Sequence, residues 1–336
     1  MKIAVVLFNL GGPDGPDAVR PFLQNLFCDP AIISLPWIIR APLGRFIAKR
    51  RAPIAREIYA RIGGGSPIVA ETQKQARALE AVLSQGDVEA KAFIAMRYWH
   101  PFSDGAAVAV KAYNPDKIVL LPLYPQFSTT TTGSSLKDWK RAAKKAGLKQ
   151  PTSTACCYPD ESGFVRAAAQ RIRTAMAGAD AKINWRLLLS AHGLPKRVIE
   201  KGDPYQKQVE QTAAAIVREL GMPELDPVVC YQSKVGRLEW IGPSTDDEIK
   251  RAGTYGKGVI IAPVAFVSEH SETLVELDIE YRHLAEESGV VDYRRAATVG
   301  DDPAFIAGLA SLVRQALTSE TPVCDAPDCC TLPDPR

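Results

Sequence analysis

The sequence predicts an α/β fold of two similar Rossmann-like domains, each a doubly wound parallel sheet covered by helices on both faces. The first supporting observation is that short runs are apolar throughout, as in strands that are buried on both faces. These runs are residues 3–8, 91–96, 117–123, 185–190, 227–231 and 258–264. The second is that segments with helical periodicity lie between them, which is typical of alternating strands and helices. These segments include residues 68–84, 134–146, 161–177 and 205–220.

The third observation is a weak internal repeat. The first half of the chain contains VVLFNLGGP, AFIAMRYWHPF and KIVLLPLYPQFSTT, and the second half contains RLLLSAHGLP, PVVCYQSKVG and GVIIAPVAFVSEHSET. In both sets one strand ends at a Gly/Pro loop, the next ends in aromatic and polar residues, and the third carries a proline before a serine-containing tip. Ligands of doubly wound sheets bind beyond the carboxyl ends of the strands, so we expect the active site in a cleft between the two domains.

Length and composition agree with this architecture. The chain has 336 residues, and roughly 150 residues make a domain. We expect an N-terminal domain at 1–135, a C-terminal domain with a terminal helix at 136–317 and a tail at 318–336. The net charge of 41 − 38 = +3 gives no indication of nucleic-acid binding. No GxxxxGKS or GxxxxGKT loop is present, so we expect no nucleotide cofactor.

Targeting signals and cysteine usage indicate the cytoplasm. The apolar run Ile3–Leu10 is like a short signal peptide, but it meets Gly11-Gly12-Pro13 without a clean cleavage site, so a buried strand fits better. No apolar run reaches the roughly 18 residues that a membrane-spanning helix needs. Seven cysteines in a chain large enough to fold without disulfides indicate a reducing compartment. The sequence leaves both a monomer and a homodimer open.

Basic and apolar residues are interleaved between Ile32 and Arg61. Seven positive residues and a single acid, Glu57, lie between Arg40 and Arg61. With the neighbouring apolar side chains they are suited to grip an amphipathic ligand or to rest on an anionic membrane surface. We call residues 32–51 the lip segment and expect peripheral membrane contact there. The alternative is a helix with a solvated basic face.

Four glutamates are predicted to share one side of a helix that begins near Ser268. Glu269, Glu272, Glu276 and Glu280 fall within a stripe roughly 80° wide at about 100° per residue. Like charges at these spacings destabilise a helix, so a divalent cation would explain the alignment. The alternative is an acidic face near a helix N-terminus, which does not account for Glu280.

Two of the four histidines stand where chemistry is expected. His192 follows the apolar run Leu187–Leu189 in SAHGLP, at the carboxyl end of a predicted strand, and His270 opens the acidic helix. A lone histidine is more often structural. A histidine at a strand tip that faces carboxylates is instead a candidate base or metal ligand.

Through these motifs the chain resembles the ferrochelatase family, from Leu7 to about Leu317. The matching motifs occur in family order: NLGGPD, AKRRAPIAREIYARIGGGSPI, MRYWHPF, YPQFSTTTTGSSL, LSAHGLPKRVIEKGDPY, YQSKVGRLEWIGPSTDDEI and VAFVSEHSETLVELDIEYR. The resemblance implies a lyase that inserts Fe²⁺ into protoporphyrin IX and releases two protons, the last step of heme biosynthesis. It also implies two Rossmann-like domains with the porphyrin in the cleft.

The resemblance assigns site residues as well. His192 resembles the family's active-site histidine, and His270 and Glu272 resemble its His-x-Glu element, followed by the acid Glu276. We expect His192 and Glu272 to be catalytic and to ligate the substrate Fe²⁺, with His270 and Glu276 as further catalytic residues. The expected porphyrin contacts are Leu10, Arg51, Ser66, Arg97, Tyr98 and Trp240. Some relatives that act on coproporphyrin have tyrosine at the first of these positions, so leucine there favours protoporphyrin IX.

The tail carries three cysteines within seven positions, Cys324, Cys329 and Cys330. Thiolates at this density suit an iron–sulfur cluster or zinc. Some ferrochelatases hold a 2Fe–2S cluster on three C-terminal cysteines and one internal cysteine, and the tail resembles that arrangement. Because Thr129 stands near the place of the internal cysteine of the vertebrate enzymes, we expect Cys157 or Cys156 to be the fourth ligand. The alternative is a tail with idle thiols.

Other functions stay open at the level of the sequence. One is a non-catalytic porphyrin or heme carrier on the same fold, which would release no protons on binding. Another is a chelatase for a different porphyrin or for a divalent metal such as cobalt or nickel, because the ligand types overlap. A third, a peripheral membrane-binding module, is favoured by the lip segment alone.

Overall fold

The computed structural model describes residues 1–85, 88–236 and 238–324. The described chain divides into two compact units, each with its own sheet. The first unit contains Met1–Tyr124, Ser128–Cys156 and Ala310–Val323, and the second contains Pro125–Phe127, Cys157–Leu309 and Cys324. No helix of these described residues has both the length and the apolar character needed to cross a membrane.

The first unit is organised around a five-stranded sheet. Its strands are β1 (Lys2–Asn9), β2 (Glu89–Met96), β3 (Lys117–Pro122), β4 (Thr152–Cys157) and β9 (Val323–Cys324). They are ordered β2-β1-β3-β4-β9, and the pairs β1·β2, β1·β3 and β3·β4 are parallel. The helices are α1 (Val19–Phe27), α2 (Trp37–Ala60), α3 (Ile68–Leu83), α4 (Ser103–Tyr113) and α5 (Ser134–Ala146), with a π-helix at Thr129–Gly133 before α5.

β1 lacks polar alternation because both of its faces are buried. Residues Ile3–Phe8 are at most 1% exposed. Ala4, Val6 and Phe8 pack with Trp139 of α5 in one apolar cluster. The helices α1 and α2 form a separate apolar cluster with Tyr98. The continuous apolar run in the sequence therefore has the structural cause that was expected for a strand covered on both sides.

The second unit repeats the strand order of the first. Its strands are β5 (Trp185–His192), β6 (Asp226–Gln232), β7 (Gly258–Pro263) and β8 (Tyr293–Arg295), ordered β6-β5-β7-β8 with every pair parallel. Its helices are α6 (Ser162–Met176), α7 (Lys196–Glu200), α8 (Tyr205–Leu220), α9 (Thr245–Thr254), a π-helix at Glu272–Glu280 and α10 (Tyr281–Glu287). The last helix, α11 (Pro303–Thr318), belongs to both units. The order β6-β5-β7-β8 corresponds to β2-β1-β3-β4, so the internal repeat of the sequence is a repeat of the fold.

The division between the units differs from the predicted boundary at 135/136. Residues 136–156 stay with the first unit because β4 pairs with β3. Ala310–Val323 return to the first unit, where β9 adds to the sheet beside β4. Chain order alone did not reveal these long-range pairings. Residues 325–336 of the predicted tail lie outside the described residues.

Candidate active site

The carboxyl end of β5 presents His192. β5 lies between β6 and β7, and its residues up to Ala191 are buried, whereas the His192 side chain is 37% exposed. The following Gly193 lets neighbouring groups approach the backbone closely, because a Cβ there would lie 3.0 Å from the Gln232 carbonyl oxygen and 3.2 Å from the Trp240 ring. Between β5 and β7 the connections of the sheet leave in opposite directions, which is where doubly wound folds bind ligands.

The acidic segment after β7 is a π-helix, and this corrects the predicted α-helix from Ser268. The π-helix runs from Glu272 to Glu280, and α10 continues it. A π-helix closes i→i+5 hydrogen bonds, is rare, and is frequent at functional sites. The prediction assumed the 3.6 residues per turn of an α-helix, which places the four glutamates in a single stripe. In the structure Glu269 precedes the helix, Glu272 and Glu276 are half-buried, and Glu280 is exposed.

His192 and Glu272 form a close polar pair. Nδ1 of the imidazole lies 2.8 Å from Oε2 of Glu272, within hydrogen-bond distance. Among the described residues, no hydrogen bond is made by the second imidazole nitrogen. Burial by itself raises the pKa of Glu272, but the nearby His192 and His270 and the Ser233 hydroxyl lower it to about 2. Burial by itself lowers the pKa of His192, but the facing carboxylates raise it above its ordinary 6.5.

Ser233 joins the two carboxylates of the π-helix. Its hydroxyl lies 2.5 Å from Oε2 of Glu276 and 3.3 Å from Oε2 of Glu272, and its backbone N–H donates to Oε1 of Glu276 at 2.9 Å. The residue has a φ of 63°, a left-handed conformation that is uncommon for serine. The Gln232 side-chain amide also donates to Glu276, at 3.1 Å. Burial and the Glu272 charge raise the pKa of Glu276.

His270 is buried beside this group. Its Nδ1 lies 3.1 Å from the Ser268 carbonyl oxygen, which can only accept, so Nδ1 carries the proton in that hydrogen bond. The ring lies edge-on to Phe266 with the centroids 4.5 Å apart. His270 contributes to lowering the pKa of Glu272. Its electrostatic interaction therefore favours the ionised form of Glu272, and its hydrogen bond to Ser268 helps to hold the loop before the π-helix.

Glu269 belongs to a different network. Its carboxylate accepts from Arg295 Nη1 at 3.0 Å, from the Thr298 backbone N–H at 3.0 Å and from the Thr273 hydroxyl at 2.5 Å. Burial by itself raises the pKa of Glu269, but Arg295 and these donors lower it overall. The predicted line of four carboxylates is thus divided: Glu272 and Glu276 lie around His192, Glu269 pairs with Arg295, and Glu280 is exposed.

The predicted porphyrin contact of the second unit, Trp240, follows the loop after β6. Its indole N–H donates to the Val235 carbonyl at 3.1 Å, and its ring lies against Gly193. These contacts place the ring next to the residue that follows His192. Trp240 is half-buried, so part of its face is open to a ligand.

The other predicted porphyrin contacts lie in the first unit. Leu10 follows β1, and Ser66 lies against Gly12, where a Cβ would approach the serine side chain to 2.5 Å. Arg51 is exposed on α2. Arg97 is one-fifth exposed and stacks on Tyr98, whereas Tyr98 itself is fully buried.

Asp29 is a residue that the sequence analysis missed. Its buried carboxylate pairs with Arg97 at 2.7 Å and accepts from the Tyr98 hydroxyl at 2.9 Å and from the Ser134 hydroxyl at 2.6 Å. These contacts fix the Arg-Tyr pair. The first unit also has a cavity of about 560 Å³ that Asp29 and Arg97 help to line. Nothing in the sequence around Asp29 indicated this role, since its partners come from distant segments.

Three of the five cysteines that the structure describes come together at the end of β4. The sulfur atoms of Cys156, Cys157 and Cys324 lie within 4.8 Å of one another, and the Gln208 amide donates to Cys157 Sγ at 3.7 Å. Cys324 is disulfide-bonded, and Cys156 and Cys157 are not. The sequence predicts that only one of the adjacent pair is a ligand, whereas the sulfur atoms of both lie within this distance of Cys324. The remaining predicted ligands, Cys329 and Cys330, lie outside the described residues.

The lip segment is exposed and apolar along α2. Trp37 is 59% exposed, Ile38 is 85% exposed and Phe46 is 56% exposed. Arg50 lies over the Phe46 ring, 5.8 Å from its centroid. Large apolar side chains at this exposure, mixed with cations, are typical of a surface that contacts another apolar phase.

Comparison with known sequences agrees with the motifs. A family model described as ferrochelatase matches residues 2–317. The ferrochelatase of Caulobacter vibrioides strain NA1000 / CB15N is 60% identical over 318 residues, which cover 94% of this chain and 90% of that protein. The ferrochelatase of Phenylobacterium zucineum is 57% identical over 320 residues, which cover 94% of this chain and 92% of that protein.

Comparison with solved structures supports the fold. SirB from Bacillus subtilis with Fe³⁺ has a TM-score of 0.53 at 14% identity and covers 95% of this chain and 96% of that one. The sirohydrochlorin chelatase SirB from Bacillus subtilis subspecies spizizenii in complex with cobalt has a TM-score of 0.53 at 13% identity, covering 94% and 95%. At this identity the likeness shows the fold alone. It confirms the predicted chelatase-like α/β fold of two Rossmann-like domains.

Proposed function

The chain belongs to the ferrochelatase family, and from this premise we propose which of its residues carry out the reaction of that family. As a ferrochelatase the protein is a lyase of heme biosynthesis, and it inserts Fe²⁺ into protoporphyrin. Each insertion breaks two pyrrole N–H bonds, leaves both electron pairs on nitrogen for the iron and sets two protons free. The protein must therefore supply a proton acceptor, oxygen or nitrogen ligands that replace iron-bound water, and a rigid wall for the macrocycle.

We propose His192 as the proton acceptor. The observation that carries this assignment is its 2.8 Å contact with Glu272 at the carboxyl end of β5. The carboxylate orients the imidazole through Nδ1 and stabilises the imidazolium that forms when the other ring nitrogen takes up a pyrrole proton. A nitrogen ligand and a carboxylate side by side also suit Fe²⁺, so we assign His192 and Glu272 as the ligands of the incoming substrate iron, which they release to the porphyrin before His192 takes up a proton.

The neighbouring residues support this pair. We propose that His270 keeps Glu272 ionised by its field and that Glu276 receives protons after Glu272. Arg51 and Ser66 are proposed to bind the porphyrin carboxylates, and Leu10 and Trp240 to press on the macrocycle, which favours the puckered ring that admits iron. Arg97 is proposed to contact the porphyrin directly. Tyr98 is buried beneath Arg97, so we propose that it acts on the porphyrin through this arginine.

A test of substrate choice follows the Soret band after anaerobic mixing of the protein with Fe²⁺ and either protoporphyrin IX or coproporphyrin III. We expect conversion of protoporphyrin IX to its iron complex with release of two protons per metal, and slower conversion of coproporphyrin III. Binding of porphyrin without proton release would support the carrier alternative. A preference for coproporphyrin III would overturn the assignment based on Leu10.

We propose in addition that the C-terminal cysteines hold a 2Fe–2S cluster. The three sulfur atoms near the end of β4 fit such a group because they converge within 4.8 Å, as ligands of one cluster do. The proposed ligands are Cys324, Cys329 and Cys330 with Cys157 or Cys156. When bound, the cluster supplies a one-electron centre.

The exposed lip segment is proposed to rest on the inner face of the cytoplasmic membrane. Ile38 and Phe46 would enter the interfacial region, and the cations of α2 would contact anionic headgroups. An apolar porphyrin partitions into membranes, so this location would place the enzyme next to its substrate.

A further inference from the structure

The hydrogen bonds around Glu276 continue away from His192. The Tyr281 hydroxyl at the start of α10 lies 3.2 Å from Oε1 of Glu276 and 3.2 Å from Oδ2 of Asp246. Tyr281 is 5% exposed, and Asp246 is exposed on α9. The Tyr281 ring packs in the apolar cluster between the sheet and these helices, beside Ile249 and Leu277. The hydroxyl therefore connects a half-buried carboxylate with a surface carboxylate.

Together with the site residues, these contacts form an unbroken chain. Its links are His192 Nδ1 to Glu272 Oε2 at 2.8 Å, Ser233 Oγ to the same Oε2 at 3.3 Å, Ser233 Oγ to Glu276 Oε2 at 2.5 Å and the two Tyr281 contacts at 3.2 Å. Beyond the imidazole, each linking atom belongs to a hydroxyl or a carboxyl group, which can both accept and donate a proton. The other described donors to Glu276, the Gln232 amide and the Ser233 backbone N–H, can only donate and cannot carry a proton away.

We propose that Ser233, Tyr281 and Asp246 complete the route by which pyrrole protons leave the active site for water. This inference rests on the proposed role of His192 and extends it to the fate of the proton. Ser233 and Tyr281 are relay residues within the route, and Asp246 is its terminal acceptor at the surface.

The transfer balances without an additional reactant. A pyrrole N–H bond breaks, the electron pair stays on the nitrogen that binds Fe²⁺, and the proton goes to His192. Its Nδ1 proton moves to Glu272, and the Ser233 hydroxyl accepts this proton while giving its own to Glu276. Glu276 donates to the Tyr281 oxygen while the Tyr281 proton passes to Asp246, which releases it to water. Two such transfers accompany one iron. Between them His192 returns to the Nδ1-protonated tautomer by proton exchange with water, and the hydroxyls of Ser233 and Tyr281 turn back to their starting orientation. Nothing is oxidised or reduced.

The backbone at Ser233 is shaped for this relay. With a φ of 63°, the residue aims both its N–H and its hydroxyl at Glu276. A left-handed conformation is unfavourable for a non-glycine residue, because its Cβ comes too close to the following carbonyl oxygen. Strain of this kind persists where the surrounding structure imposes it, and it is found often at active sites. Within the described parts of the chain, the Ser233 hydroxyl hydrogen-bonds to both carboxylates of the π-helix.

The matched test uses two tyrosines that pack in the same cluster. Tyr281→Phe removes the relay hydroxyl and keeps the ring. Tyr293→Phe is the control, because the Tyr293 hydroxyl donates to the Leu277 backbone carbonyl and is outside the route. Asp246→Asn tests the surface end, since its amide keeps an oxygen for Tyr281 but cannot take up the proton. Anaerobic single-turnover insertion of Fe²⁺ into protoporphyrin IX measures the step, and fluorescence titration measures porphyrin binding.

We expect Tyr281→Phe to slow insertion at least about tenfold with porphyrin affinity unchanged, and Tyr293→Phe to insert at the rate of the wild type. Asp246→Asn should also be slow, and its rate should rise with the concentration of a small buffer that does not bind iron, such as 2,6-dimethylpyridine. A merely structural effect would give no such buffer rescue. The proposal is overturned if Tyr281→Phe inserts as fast as Tyr293→Phe, or if the slow Asp246→Asn variant does not respond to buffer. If His192→Ala loses insertion while Tyr281→Phe inserts at the wild-type rate, the proposed role of His192 is retained. The proposed route through Tyr281 is then wrong.

Discussion

His192 and Glu272 are separated by 80 residues in the chain, yet their Nδ1 and Oε2 atoms lie 2.8 Å apart. The pairing follows from the sheet, because β5 and β7 are neighbouring parallel strands and their carboxyl ends lie on the same edge. One residue ends β5, and the other begins the π-helix that follows β7. The fold therefore builds the pair out of two strand ends.

Glu272 and Glu280 offer a direct comparison of two glutamates on the π-helix. Glu272→Gln should lower turnover by about a hundredfold or more, because the variant loses the carboxylate that orients His192 and stabilises its charged form. Glu280→Gln should change turnover less than about threefold, since Glu280 is exposed. Steady-state insertion assays with matched porphyrin titrations measure both. Equal effects of the two substitutions would contradict the assignment.

Glu269 is expected to act in stability. Glu269→Gln should lower the free energy of unfolding at pH 7 by about 2 kcal/mol, because Arg295 loses a charged partner. The pKa of Glu269 is lowered in the folded protein, which fixes how this difference in free energy of unfolding depends on pH. The wild type is more stable than the variant by the full amount above the ordinary pKa of 4.5, and this extra stability is lost as the pH falls through the lower pKa of the folded state. Urea unfolding across pH measures this. Glu287→Gln, on the exposed face of α10, is the control. A difference in stability between wild type and Glu269→Gln that grows on acidification would contradict the prediction.

The lip segment should bind membranes through its apolar side chains. Ile38→Asp with Phe46→Asp should abolish most sedimentation with vesicles that contain anionic lipid, because charged side chains do not enter the interfacial region. Val108→Asp on α4 is the control, since Val108 is 63% exposed and lies in a different part of the first unit. Sedimentation that survives the double substitution would place the membrane contact elsewhere.

The cysteine group should give the protein a colour. Anaerobically purified, porphyrin-free protein should show the visible absorption of a 2Fe–2S cluster with about two irons and two sulfides per chain. Cys324→Ser should lose both, whereas Cys28→Ser, at a residue that is not part of this group, should keep them. A colourless wild-type protein without bound iron or sulfide would refute the cluster.

The strands were predictable because burial on both faces leaves a plain signal in the sequence. All six predicted runs are strands, and the repeat correctly indicated two sheets of the same order. The domain boundary was not predictable, because the pairing of β4 with β3 and the return of β9 depend on contacts between distant segments. The π-helix was missed because apolar spacing at Leu277 and Tyr281 resembles that of an α-helix when the backbone hydrogen bonds are unknown.

The site was predictable in part. His192 could be placed from its position after an apolar run, and the family motifs pointed to Glu272 and His270. Ser233 comes directly after β6, so its position at the carboxyl end of a strand could have been predicted in the same way. Its left-handed backbone conformation could not. The separation of Glu269 from the group depends on Arg295, a partner contributed by β8 that no local pattern identifies.

The central claim is that His192 accepts the pyrrole protons. Anaerobic single-turnover mixing of Fe²⁺ with the complex of protoporphyrin IX and His192→Ala tests it most directly, with His283→Ala, an exposed histidine of α10, as the matched control. We predict that the His192→Ala complex forms with near wild-type porphyrin affinity and that its insertion rate falls by at least about a thousandfold, while the control behaves as the wild type. Wild-type insertion by the His192→Ala complex would contradict the account.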